Sequence, residues 1–178
     1  FAATATTGNM TDSGALTITG AATFRTSESG SDIALDSSGN AFSNAVTLEA
    51  DTGNEVFGNI TFVDSAAVKL NSSASADGDL YINASTDGAV GGNLNITATT
   101  DNITQGIALA ITGTSSFTTS ANNATIALDT TTNAFTGAVT ITTNDNSGMD
   151  ADVTIDGGTT ALVLAASTID GDLTVRSG

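Results

Sequence analysis

Two acidic tripeptides, Asp77-Gly78-Asp79 and Asp170-Gly171-Asp172, hold the residues of this 178-residue chain best suited to chemistry. Calcium takes six to eight oxygens from carboxylates and carbonyls, and two aspartates across a glycine can supply several of them. The same tripeptides also make turns into Leu80 and Leu173, since Asp and Gly both favour tight reversals. Neither matches an EF-hand loop or the glycine-rich nonapeptide of calcium-binding rolls. The turn is therefore the preferred reading, with calcium at Asp77, Asp79, Asp170 and Asp172 as the alternative and no other cofactor expected.

Other chemistries find little to work with. The chain has no His and no Cys, so the commonest general base, the commonest metal ligand and the thiol nucleophile are all missing. No acid and base cluster at the strand centres, which sets polysaccharide-active chemistry last and predicts a protein that is not an enzyme. Seven Asn-x-Ser/Thr sequons, at Asn9, Asn59, Asn71, Asn83, Asn95, Asn102 and Asn123, are candidate glycan acceptors. Tyr81, the single tyrosine, is a candidate surface contact for a sugar or a neighbouring rod. Thr17/Thr19 and Thr140/Thr142 form Thr-x-Thr pairs, and regular threonine arrays on flat β-helices can bind ice. With Tyr81, Glu49 and Arg176 assigned to the same outer face and with uneven coil lengths, strand propensity accounts for the threonines.

Charge narrows the partners. Nineteen acids against three bases give a net charge of −16. Phosphate neutralisation needs Lys and Arg, so no nucleic acid is expected. An anionic membrane surface repels such a chain, and no run of about 18 apolar residues is present to enter a bilayer. Few Lys or Arg also means few trypsin-type cleavage points, which suits an extracellular, cell-surface location. Residue 1 is Phe in mid-repeat, which suggests a mature or excised piece of a longer product.

The elements that carry these residues follow from two periods. Apolar residues alternate in short x-Φ-x-Φ-x segments, the pattern of strands, and Gly, Asn, Asp and Ser fill the gaps. Residues 1–50 laid on residues 94–143 give 24 identities in 50 pairs without a gap, a period of 93 residues. Such a period signals a repeat architecture. The strands are assigned to three series, whose first contains Leu16/Ile18, Val46/Leu48, Leu80/Ile82, Leu109/Ile111, Val139/Ile141 and Leu173/Val175 as a core ladder. That series implies coils of 30, 34 and 29 residues.

The predicted fold is all-β: a right-handed parallel β-helix (β-solenoid) of about six coils of three strands, with a 93-residue super-repeat of three coils. It forms one segment over 1–178, with copies at 1–93 and 94–178. Stacked strands about 4.8 Å apart make this a rod on the order of 30 Å long. Right-handed winding follows the crossover preference of parallel strands. A β-sandwich also has many short strands but predicts no gapless period. Zero Pro agrees with strands paired on both sides. Asn40, Asn133, Asp36 and Asp129 are expected at corners, with Phe42 and Phe135 beneath them.

Several of these segments resemble a known family. Ile103-Thr104-Gln105, Leu109-Ala110-Ile111-Thr112-Gly113, Asn133-Ala134-Phe135-Thr136-Gly137-Ala138-Val139-Thr140-Ile141 and Gly171-Asp172-Leu173-Thr174-Val175 are similar to repeats of very large bacterial surface proteins, the filamentous-haemagglutinin-like and related β-strand-repeat adhesins. The resemblance covers essentially the whole chain. It implies secretion and a β-helical shaft, and it carries over no binding residue. The expected function is a structural shaft of a surface adhesin or extracellular fibre. Its partners would be copies of itself stacked head to tail or flanking repeats, since the ends look as repeat-like as the middle. The rival is a glycan- or calcium-binding surface module that grips a host glycan or receptor.

Overall fold

The computed structural model describes residues 1–50, 58–66, 68–70, 79–82, 89–144 and 150–178. Every named strand pairing in it is parallel, and the chain winds as a β-solenoid of about six turns. Each turn contributes to three stacks of strands. One six-stranded sheet runs the length of the rod in the order Met10–Thr11, Ile33–Leu35, Ile60–Asp64, Leu94–Ala98, Ser115–Thr119 and Val139–Thr142. A nine-stranded sheet begins with Ala2–Ala5, Ala22–Thr26, Val46–Glu49 and Asp79–Ile82. It continues through Val68–Leu70, Ile103–Gln105, Ile126–Leu128, Val153–Asp156 and Leu173–Arg176. Two short sheets complete the turns: Thr17–Ile18 with Ala41–Phe42, and Ala89–Val90 with Ala110–Ile111 and Ala134–Phe135.

Alternation along each strand decides what is buried. Ile60–Asp64, Leu94–Ala98 and Ser115–Thr119 all alternate buried and half-buried positions. Inward residues stack on their own kind from turn to turn: Leu35 pairs with Phe62, Phe62 with Ile96, Ile96 with Phe117, and Phe117 with Ile141. Aromatic rings continue this stacking inside the rod. Phe24 and Phe42 meet edge-on at 6.0 Å, Phe42 and Phe62 stack at 5.2 Å, and Phe117 and Phe135 meet edge-on at 6.3 Å.

The 93-residue period recurs in most local stacks but not in the last turn, where Val139 bridges to Leu164 and not to Leu173, the equivalent of Leu80 over Val46. Phe24 on Leu48 recurs as Phe117 on Ile141, Ile33 on Ile60 as Ile126 on Val153, and Ile18 on Phe42 as Ile111 on Phe135. Yet the period moves a strand to a different sheet. Ala22–Thr26 lies in the nine-stranded sheet and its equivalent Ser115–Thr119 in the six-stranded one; Ile33–Leu35 and Ile126–Leu128 exchange the other way. Along the six-stranded sheet Ile33, Ile60, Leu94 and Ser115 succeed one another over three turns, and Ile126 begins the next strand of the chain. One period is thus three turns and one further sheet.

This corrects the strand series read from the sequence. Val46 and Leu48 stack on Ala22 and Phe24 and pair in backbone register with Leu80 and Ile82, whereas Val139 and Ile141 stack on Ser115 and Phe117. Leu109 and Ile111 belong with a short sheet, as do Leu16 and Ile18. Coil lengths change accordingly. Met10 lies against Ile33, then Ile60, Leu94, Ser115 and Val139, so successive turns take 23, 27, 34, 21 and 24 residues. Leu173 and Val175 differ from the expected ladder in burial as well. They are 43% and 42% exposed, because their strand pairs on one side only, with Val153–Asp156.

Candidate functional site

The polar chemistry of this rod is concentrated where each turn enters the six-stranded sheet. An Asn or Asp stands immediately before the first strand residue in Asn9-Met10, Asp32-Ile33, Asn59-Ile60 and Asn93-Leu94. Its side chain reaches to the next turn. Asn9 Oδ1 accepts the Asp32 N–H at 2.9 Å, Asp32 Oδ1 the Asn59 N–H at 2.7 Å, Asn59 Oδ1 the Asn93 N–H at 2.7 Å, and Asn93 Oδ1 the Thr114 N–H at 2.8 Å. The result is a side-chain ladder that runs along the axis and caps donors that no strand pairing satisfies. One period later it starts again, with Asn102 Oδ1 on the Thr125 N–H at 2.7 Å and Asp152 Oδ1 on the Asp172 N–H at 2.8 Å.

Glycine makes the close approach that this ladder needs. Gly58, Gly92, Gly113 and Gly137 stack at the same corner. A methyl on Gly92 would fall 2.7 Å from both the Gly58 carbonyl oxygen and Asn59 Oδ1. On Gly113 it would lie 2.5 Å from Asn93 Oδ1 and 2.6 Å from the Gly92 carbonyl carbon. These corners therefore tolerate no Cβ.

A second polar device sits inside. Asn40 and Asn133, expected at corners, are 0% and 2% exposed. Asn133 Oδ1 accepts the Leu109 N–H at 2.9 Å and also Gln105 Nε2. Its Nδ2 donates to Gln105 Oε1 at 3.2 Å, Leu128 O at 3.3 Å and Asp156 O at 3.0 Å. Asn40 Oδ1 accepts the Leu16 N–H at 2.8 Å, and its Nδ2 donates to Asp12 at 2.7 Å. Burial opposes ionisation of Asp12. The hydrogen bonds from Asn40, Ser37 and Asp36 outweigh it and hold this carboxyl below its ordinary value.

Of the candidate calcium residues, Asp170 and Asp172 have described surroundings. The Asp170 N–H donates to Thr143 Oγ1 at 3.0 Å and the Asp172 N–H to Asp152, so this tripeptide forms a hydrogen-bonded corner. Asp77 lies outside the described residues, and Asp79 is described only as part of the strand Asp79–Ile82. Among the described residues no three His, Cys, Asp or Glu side chains converge on a metal position. Tyr81 stands in register with Thr47.

The sequons divide by environment. Asn9, Asn59 and Asn102 are ladder residues, and Asn-Φ-Thr arises there because a ladder Asn precedes a strand. Asn95 lies mid-strand, its Nδ2 donating to Thr61 at 3.3 Å. Asn123 is exposed at a turn with φ 62°. Asn71 and Asn83 lie outside the described residues.

Two outer faces differ in chemistry. The nine-stranded sheet carries charge, with Arg25 beside Glu49 at 3.4 Å and Arg176 in register with Asp156. The six-stranded sheet presents two uncharged columns: Thr61, Asn95, Ser116 and Thr140, and beside them Val63, Thr97, Thr118 and Thr142. Tyr81, Glu49 and Arg176, assigned to the face of Thr140 and Thr142 from sequence alone, stand on strands of the nine-stranded sheet instead.

Sequence reasoning missed the ladder and the glycine column. Their signal was the recurrent Gly-Asn-Φ or Asn/Asp-Φ at strand starts. No curated protein and no solved structure matches the chain. A family model matches residues 1–49 and 57–142. The protein is therefore a β-solenoid repeat protein that belongs to the family described as repeats of unknown function (DUF5649).

Proposed function

We propose that this chain is a non-catalytic structural segment: a shaft of a bacterial surface adhesin or extracellular fibre, continued by flanking repeats or by further copies of itself. The observation that carries this reading is the axial continuity of the hydrogen bonding. Six strands from Met10 to Val139 pair in one parallel series, and the ladder from Asn9 to Thr114 runs beside it. Load along such an axis is shared among many bonds placed in parallel around each turn. A chain built this way needs neither a cleft nor a cofactor. Its acidity supports solubility outside the cell and discourages sideways association.

Electron microscopy of source cells labelled with antibody to this chain tests the proposal. Label on rods projecting from the surface is expected, and label confined to the cell interior would overturn it. The rival calcium-dependent reading has its own test. Thermal unfolding in EDTA is expected to match that in calcium-containing buffer, and a melting temperature that falls on chelation would favour a metal-binding module.

A further inference from the structure

We propose that the outer face of the six-stranded sheet binds ice. Outward residues on this face form two columns in strict register, one of them running Thr97, Thr118, Thr142 with Thr140 beside it. All four are half-buried by their neighbours, so the columns are close-set. The Thr142 column extends further, since Thr142 bridges to Thr168 in the next turn. Strand spacing places rungs about 4.8 Å apart, and alternate residues along a strand lie about 6.6 Å apart. Water oxygens on the low-index planes of ordinary ice repeat at similar distances. A threonine brings both a hydroxyl that joins a water lattice and a methyl that orders water beside it.

Charge distribution is an independent argument. Nineteen acids and three bases are distributed through this chain, yet none occupies an outward position in the columns from Thr61 to Thr140 or Val63 to Thr142. A charged group holds its own hydration shell and disrupts a lattice contact. Strand propensity explains threonine but not this exclusion, because the nine-stranded sheet of the same rod carries Arg25, Glu49 and Arg176. The face also lacks what other partners need. Its two columns hold no aromatic platform for a sugar ring, and Val63 is the one large apolar side chain in them. Its backbone is held by strand pairing, by the Val139–Leu164 and Thr142–Thr168 bridges beyond the last strand, and at its entry corner by the Asn/Asp ladder, so many small contacts are preorganised together.

The 178-residue chain, tested by partition into slowly growing ice and by inhibition of ice recrystallisation, should enter the ice and arrest grain growth. Thr118→Lys should reduce both to the level of an inert protein, while Thr23→Lys on the nine-stranded sheet should leave both unchanged. Circular dichroism melting of each variant separates loss of binding from loss of fold, and Thr118→Val supplies a variant of nearly the same shape. Exclusion of the unsubstituted chain from ice would overturn the proposal, as would equal losses in Thr118→Lys and Thr23→Lys. A sedimentation dimer that Thr118→Lys dissociates without altering ice partition would also overturn it, and would make this face a contact between rods.

Discussion

Adding one methyl group at Gly113 should cost this protein more stability than removing most surface side chains. In Gly113→Ala the new Cβ would lie 2.5 Å from Asn93 Oδ1 and 2.6 Å from the Gly92 carbonyl carbon. Neither neighbour can swing aside, because one is backbone and the other accepts hydrogen bonds from the Thr114 N–H at 2.8 Å and hydroxyl at 3.0 Å. The corner must open. Overpacking of this kind costs about 1–3 kcal/mol, and losing the Asn93–Thr114 bond adds about 1 kcal/mol. The sum, about 2–4 kcal/mol, opposes the usual gain of about 0.4–1 kcal/mol for Gly→Ala where the backbone permits it. Gly20→Ala is the matched control, since a Cβ there meets nothing within 4 Å and its φ is not positive. Urea unfolding followed by far-UV circular dichroism should therefore shift the midpoint down for Gly113→Ala and leave it level or raised for Gly20→Ala. A Gly113→Ala chain as stable as the unsubstituted one would refute the close-approach argument.

Three further outcomes follow from the interior and its polar bonds. Asn133→Ala should destabilise by about 2–4 kcal/mol in the same assay, because it strands the Leu109 N–H and the Leu128 and Asp156 carbonyls in a buried site. Phe117→Ala removes a fully buried ring between Ile96 and Ile141 and should cost about 3–5 kcal/mol. The folded-state pKa of Asp12 is depressed, so its contribution is present above the ordinary Asp value and lost as pH falls through the lowered one. Asp12→Asn should accordingly be less stable than the unsubstituted chain at neutral pH, and the difference should close as the pH approaches the folded-state value. A difference independent of pH would sink that assignment.

Fold class was legible in the sequence because alternation and the 93-residue period are both one-dimensional signals. Leu16/Ile18, Ile33/Leu35 and Val46/Leu48 each announce a strand and its inward face. Which strands lie above one another was not legible, because inward-outward alternation is identical on all three faces. Turn lengths from 21 to 34 residues come from corner segments with no period of their own. Residues 93 apart look like stacked residues but are separated by three turns and a sheet. The error moved Tyr81, Glu49 and Arg176 onto the face of Thr140 and hid its uncharged columns. Asn40 and Asn133 show a different limit. Their type suggested a corner, whereas winding of the chain buries each amide and bonds it to neighbouring turns.

The non-integral period has a consequence for any array that continues it. Each copy presents equivalent positions rotated by roughly one third of a revolution, so a motif kept in every copy winds around the rod like the thread of a screw. Three copies, about ten turns and roughly 50 Å at the strand spacing, return it to its starting azimuth. In this chain the outward residues change as the position turns: Arg25 and Glu49 on the nine-stranded sheet become Thr118 and Thr142 on the six-stranded one. Substitution between copies, not the winding alone, decides which chemistry each side of the rod presents.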